Sequence, residues 1–340
     1  MLASKCEIVI LNWIQINNIS MSLLEELPVL ILGYNRLDKF TRCISSLNEQ
    51  GIKKVFVSID GPKNESDKKI QKEIINFCEH SKFDLDIRLK KLNRNFGCRI
   101  APVKGITWFF KENEYGVILE DDVLVSKKCI ELFSLLLNEY FANDKIMSIS
   151  SFNEFTNKNI ESLYTLPVWR SWGWASWAEK WKFHLDFSSK ISQLSILQLY
   201  KLLPQKYRKI ETAELIKSCQ LNFMDAWDYE FNFSHIVNRK NSLTFGGINN
   251  FVYGFDDSAT HTFNIENVGI DFDLFQERKI DKTKILRLEK YKIKLTLEKC
   301  GFPITQKEIK YLWTKVFLKS IYYSFIFYLR KIKRNIHKKF

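Results

Sequence analysis

At 340 residues, 46% of them hydrophobic and 14% aromatic, the chain is long and apolar enough to bury a sizeable core, which excludes a disordered or fibrous protein. Its formal net charge of +13 suits an anionic partner, although part of the excess is local: Tyr328–Phe340 carries six Lys/Arg and no acid. The seven cysteines are scattered and never spaced as Cys-x-x-Cys, which argues against a disulfide framework or zinc knuckle and for a reducing compartment. No apolar run reaches the roughly 20 residues that a membrane span needs. Residues 1–26 form an N-terminal extension without a basic start or small-residue cleavage site, so no signal peptide is expected, and Met21 is a candidate second start.

From Pro28 strands and helices alternate. Residues 28–35, PVLILGYN, form a short apolar run read as a buried strand, and 37–51 show helical spacing that stops at Gly51. A second strand over 54–61 ends in Asp-Gly, followed by a helix over 65–80 and a third strand over 83–91. Residues 98–113 read as a helix with Pro102 in its first turn, where a missing N–H costs little. The fourth strand, 115–120, leads to a helix over 126–143 capped by Ser126, and a fifth strand spans 145–152. This order predicts an α/β protein with a mostly parallel sheet covered by helices, and ligands at the carboxyl ends of the strands. After residue 150 the alternation stops, and helical stretches are expected at 191–203, 206–221 and 225–239. Residues 27–150 and 151–270 are thus read as two halves of one domain, and 271–340 as a helical extension with a basic tail.

The strand ends carry the candidate chemistry. Glu120, Asp121 and Asp122 follow the fourth strand, Asp60 ends the second, and Asn35–Arg36 follow the first, so these groups should converge on one rim. Hard divalent cations take oxygen ligands, often one or two carboxylates plus substrate phosphates. Extended geometry would point Glu120 and Asp122 together and Asp121 away. The alternative is an acidic helix N-terminus, where negative charge is mildly stabilising. In MDAWDYEF, Asp225, Asp228 and Glu230 sit among aromatics, where desolvation raises a carboxyl pKa and suits a general base. The loop GFDDSATHT offers Asp256, Asp257 and His261, the histidine being a candidate metal or phosphate ligand beside glycines that would allow a mobile flap. Five tryptophans fall within Trp169–Trp181; Trp172 and Trp174, flanking Gly173, are candidates for an acceptor pocket, and a core plug is the other reading.

PVLILGYNR, VSIDG, NFGCR, VILEDDVLVS, WRSWGWASWAEKW and WDYEF occur in an order that resembles the glycosyltransferases of the GT-A fold. The similarity is greatest to bacterial family-2-like nucleotide-sugar transferases, with N-acetylglucosaminyltransferase I as a more distant relative, and it covers roughly residues 27–265. The resemblance implies that the triplet is an Asp-x-Asp-type motif, with Asp122 binding Mn²⁺ (or Mg²⁺) and Glu120 and Asp121 near the nucleotide sugar. It also implies nucleotide-sugar contacts at Arg36, Asp60 and Lys104, a catalytic base at Asp228, and a closing loop around Asn250–Tyr253. The implied reaction is inverting transfer from a nucleoside-diphosphate sugar, UDP foremost, to a saccharide or lipid-linked hydroxyl during glycan synthesis.

Other functions fit less of the sequence. A sugar-nucleotide nucleotidyltransferase would usually carry a Gly-rich, cationic loop after the first strand, which LGYNRLDKF lacks. No nucleic-acid-binding signature accompanies the positive charge, so no nucleic-acid partner is expected. A non-catalytic sugar-binding module would look the same in sequence. The aromatic and basic segment 316–340 is suited to an anionic bilayer surface, so a cytoplasmic protein, peripheral on the inner membrane, is expected.

Overall fold

The strand VLILG is apolar at every position before its glycine because both of its faces are covered. In the computed structural model, which describes residues 24–151, 163–167, 169–205, 208, 210–220, 227–245 and 250–252, it forms β1 (Val29–Gly33). Val29 and Ile31 enter one core, and Leu30 and Leu32 the other. A continuous apolar run is the signature of a parallel strand sandwiched between helix layers. It is followed by α1 (Leu37–Glu49), β2 (Lys54–Ile59), α2 (Glu65–His80), β3 (Asp86–Lys91), α3 (Gly97–Glu112), β4 (Tyr115–Glu120) and the short β5 (Val123–Val125). Then come α4 (Lys127–Glu139), β6 (Ile146–Ser150), β7 (Leu163–Leu166), β8 (Trp174–Trp177), α5 (Ala178–Ser192), α6 (Ile196–Leu202), α7 (Ile210–Gln220), α8 (Asp228–Val237), β9 (Asn241–Phe245) and β10 (Asn250–Val252).

The main sheet has eight strands in the order β3-β2-β1-β4-β8-β6-β9-β7. The expected parallel sheet is realised from β3 to β4. Beyond β4 antiparallel strands join it: β8 runs antiparallel to both β4 and β6, and β7 antiparallel to β9, while β6 and β9 are parallel. Strands from both halves of the sequence therefore share one sheet. Helices α1, α2 and α4 cover one face, and α3, α5 and α8 the other. A third apolar cluster, with Ile191, Leu199, Ile216 and Phe233, ties α5 to α8 together away from the sheet.

Close packing fixes where α3 lies. A Cβ on Gly105 would stand 2.7 Å from Ser58 Oγ and 2.9 Å from Leu32, and one on Gly116 would stand 2.3 Å from the Phe109 ring. The helix thus rests directly on β1, β2 and β4. Three tryptophans of the rich stretch, Trp169, Trp174 and Trp181, enter the core on this face, and Trp177 enters the other. Trp169, Trp174, Trp181, Trp227 and Phe231 are stacked together with ring centroids 5.0–6.4 Å apart, and Trp181 Nε1 donates to Thr107 Oγ1 at 3.0 Å. No helix among the described residues is long and apolar enough to cross a membrane.

Two buried histidines join α5 and α8 to the sheet. His235 Nδ1 faces the Phe231 carbonyl at 2.8 Å and so carries its proton there, which leaves Nε2 to accept from Ser148 Oγ at 2.8 Å. His184 is hydrogen-bonded to Ser234 at 2.6 Å. Burial drives both below the ordinary value of 6.5, His184 to about 3 and His235 to about 4. The unfolded chain takes up these protons first, so the stability they contribute is present above pH 6.5 and drains as the pH falls toward 4. The raised carboxyls described below act with the opposite sign, so the histidine part is read by difference. Urea unfolding between about pH 6 and 4.5 should show a shallower fall for His184→Gln and His235→Gln than for the wild type, by roughly 1.4 kcal/mol per pH unit for each ring removed. Equal slopes would mean that the rings titrate normally.

Candidate active site

The order β3-β2-β1-β4 creates a crevice. From β1 the chain moves to β2 on one side; from β3 it crosses back to β4 on the other. Loops leave the carboxyl ends of β1 and β4 in opposite directions there, which is where open α/β sheets bind ligands. Arg36, just after β1, and Glu120–Asp122, closing β4, flank this point. β4 pairs with β1 up to Leu32↔Glu120, and Asp121 N donates to Leu32 O at 3.0 Å.

Extended alternation does not continue through the triplet. A turn at Asp121–Asp122 separates β4 from β5 and brings both carboxylates to one guanidinium. Arg36 Nη2 donates to Asp121 Oδ1, and Nη1 donates to Asp122 Oδ2 at 2.8 Å. Asp121 is 1% exposed and Asp122 7%. Burial raises Asp121 to about 6, with the charge of Asp122 adding and Arg36 opposing. Burial likewise raises Glu120 well above the carboxylate range, and the charges of Asp122, Asp228 and Asp121 add to it while Arg36 opposes. Burial disfavours the Arg36 cation, but Asp121 and Asp122 more than compensate and hold its pKa above the ordinary value. Asp122 Oδ1 is buried without a hydrogen-bond partner. The helix-start reading of the triplet is set aside, because β5 intervenes and Ser126 caps α4 through Cys129 N.

Asp60 sits at the same rim with its carboxylate fully engaged. Oδ1 accepts from Gly61 N and Phe96 N, at 2.8 and 2.9 Å, and Oδ2 from Asn95 Nδ2 and Gly97 N, at 3.0 and 2.9 Å. The group pins the loop entering α3. Gly61 makes this possible: a Cβ there would lie 2.1 Å from the Arg94 carbonyl carbon. Gly97, at φ 78°, turns the chain into the helix. On the other flank Asp67 accepts from Tyr34 Oη at 2.5 Å, Asn35 Nδ2 at 2.8 Å and Lys63 N at 3.0 Å. These bonds hold its carboxyl below the usual range despite the opposing pull of burial. Asn35 is thereby an anchor for the loop that presents Arg36.

Asp228 begins α8, and its charge contributes to the raised pKa of Glu120. The first turn of α8 is braced by Glu230, which accepts from Arg99 at 2.5 Å and from Ser188 Oγ at 2.8 Å. Asn232 adds a second tie, accepting from Trp169 N at 2.8 Å. β10 pairs antiparallel with β5, placing Val252 opposite Val123, directly after Asp122. Arg99 within NFGCR and Glu230 within WDYEF were both visible in the sequence, but nothing in their spacing announces that they meet.

The remaining candidates separate clearly. Trp174 is fully buried in the core, so its assignment to an acceptor pocket is corrected: Ile118↔Trp174 pairing turns its ring inward under α3. Trp172 is half-buried against the opposite core and keeps an accessible portion. Lys104 is exposed on α3 with Nζ 4.7 Å from the Phe96 ring centre, and its charge is felt at Lys90 on β3. Asp225, Asp256, Asp257, His261 and the segment 316–340 lie outside the described residues. Among the described residues no three His, Cys, Asp or Glu side chains form a ready-made metal cage.

Residues 29–197 match the model of glycosyl transferase family 2. Through this domain the chain belongs to glycosyl transferase family 2. The crevice, Arg36, Asp60 and the acidic triplet all lie inside the family 2 match, whereas Asp228 lies beyond it. No curated protein matches the chain. Among solved structures, a Bacillus anthracis protein described as a glucose-1-phosphate thymidylyltransferase aligns at 12% identity over 59% of this chain and 85% of its own, with a TM-score of 0.30. A UDP-glucose pyrophosphorylase complexed with UDP-glucose aligns at 10% identity over 65% and 90% of the two chains, with a TM-score of 0.31. Likeness at that level carries no inference for the family 2 domain.

Asp60→Ala should lower the urea unfolding free energy by about 2 kcal/mol, since one buried and three half-buried donors lose their acceptor at once. Hydrogen exchange at Phe96 and Gly97 would rise with it; unchanged exchange there would remove Asp60 as the loop pin.

Proposed function

We propose that this chain is a metal-dependent, inverting glycosyltransferase, which moves a sugar from a nucleoside-diphosphate donor, UDP foremost, to a hydroxyl of a saccharide or lipid-linked acceptor. The observation that carries the reading is the acidic triplet at the β1/β4 crevice of a family 2 domain, with Asp122 Oδ1 buried and unpartnered. Buried polar atoms are normally paired, and an orphan carboxylate oxygen in a ligand crevice fits a hard cation. The oxygen-only donor set of Asp122 and its neighbours suits Mn²⁺ or Mg²⁺, which usually takes a carboxylate or two and completes its shell with phosphates and water. Asp122 would hold the ion, with Glu120 and Asp121 beside the donor; when bound, the ion would neutralise charge on the departing nucleoside diphosphate.

The protein's own groups account for the rest of the reaction. Asp228, at the start of α8, takes the proton of the acceptor hydroxyl as that oxygen attacks the anomeric carbon and the bond to the diphosphate breaks. One displacement from the opposite face inverts the configuration. The Asp60-pinned loop and the Asp67-anchored turn hold the crevice walls in place, so both substrates meet in a fixed geometry. The Arg99–Glu230–Ser188 brace holds the base at the start of α8. A nucleoside-diphosphate-sugar screen by thermal shift, with and without Mn²⁺, identifies the donor.

Two substitutions test the roles. Asp122→Ala should abolish Mn²⁺-dependent UDP binding in calorimetry with the far-UV spectrum unchanged, and full retention of that binding would remove Asp122 as the metal ligand. Asp228→Asn should keep the donor-induced thermal shift while sugar transfer falls by about 10²- to 10⁴-fold. Near-normal turnover in that variant would take the base away from Asp228.

A further inference from the structure

Arg36 occupies the side of the acidic pair that a cation would otherwise use. Its Nη1 donates to Asp122 Oδ2 at 2.8 Å and its Nη2 to Asp121 Oδ1, while Asp122 Oδ1 stays buried without a partner. A divalent ion on that free oxygen would stand beside a guanidinium in a poorly hydrated crevice, where like charges repel strongly. The backbone of Arg36 cannot retreat. It caps α1, whose Phe40, Cys43 and Ile44 are fixed in the core, and Phe40 N donates to Arg36 O at 2.9 Å. The side chain is the movable part: its exposure is 19%, against 1% for Asp121.

We infer that Arg36 is a counter-ion latch, which keeps Asp122 from a divalent cation until a nucleoside diphosphate offers the guanidinium its phosphates in exchange. The inference rests on the donor-site reading above. The chemistry favours such an exchange. A guanidinium fork binds a phosphate through two parallel hydrogen bonds as readily as it spans two carboxylates. Once the fork leaves, Asp121 and Asp122 lose the guanidinium that spans them, and a divalent ion restores the balance. One cation replaces another, and the triplet is never without one. Binding of metal and of nucleotide are therefore linked, and each tightens the other by the same factor. A lysine at this position would be a single point charge and could not span the pair.

Mn²⁺ titration of the full chain, followed by the electron-paramagnetic-resonance signal of the free ion, tests the latch without any acceptor. Wild type alone should bind Mn²⁺ weakly, and saturating UDP should tighten it by about tenfold or more. Arg36→Gln should bind Mn²⁺ about tenfold more tightly than wild type without nucleotide, and UDP should then add little. Arg36→Lys should fall between them, and it keeps a cation beside Asp121 should the glutamine variant fail to fold. Equal Mn²⁺ affinity of wild type and the folded variants without UDP, with UDP still tightening the wild type, would overturn the latch and leave the metal site standing. Mn²⁺ bound by no form, with or without UDP, would overturn the metal site itself and the latch with it.

Discussion

Two buried carboxylates beside a half-buried third cannot stay ionised without a cation among them, and among the described residues Arg36 spans the buried pair. The remainder of the site follows from keeping this contact in register. β1 and β4 are neighbours, so the residues leaving their ends are brought side by side. The turn after β4 then gives two of the three acids to one guanidinium. Glu120, the third, has no such bond and is the acid that burial and its neighbours raise most plainly. The site thus gathers acidic groups in a place where proteins rarely tolerate them, in keeping with the proposed cation and nucleotide site.

The walls of the crevice are set by α3 more than by any other element. Its start is tied to the end of β2 through Asp60, its body rests on the sheet where glycines leave no room for a side chain, and Arg99 reaches across to the first turn of α8. A single helix therefore connects the loop beside β2 to the helix that carries Asp228. Displacing α3 would alter both sides of the crevice together.

Sequence reading recovers the first half of the fold closely, and the reason is physical. Parallel strands covered on both faces are continuous apolar runs, and amphipathic helices between them have visible ends; the helix Glu65–His80 and the strand Tyr115–Glu120 are predicted with their observed bounds. Beyond residue 150 the strands are short and mostly antiparallel, such as Leu163–Leu166 and Trp174–Trp177, and the indoles that mark β8 and α5 obscure the periodicity of both. The site divides the same way. Strand-end logic brings Arg36, Asp60 and the acidic triplet to one rim. That Asp60 is filled by backbone N–H groups, and that Trp174 faces inward, depends on loop conformation and register, which leave no side-chain pattern to read.

The small ribbon of β5 and β10 carries one more consequence. Its two strands are far apart in the chain, yet Val252 lies against Val123, one residue beyond Asp122. Closing so long a loop is entropically unfavourable until the intervening contacts are in place, so pairing of this kind belongs late in folding. The turn that holds Asp121 and Asp122 would then gain this neighbouring strand only after the parallel core has formed.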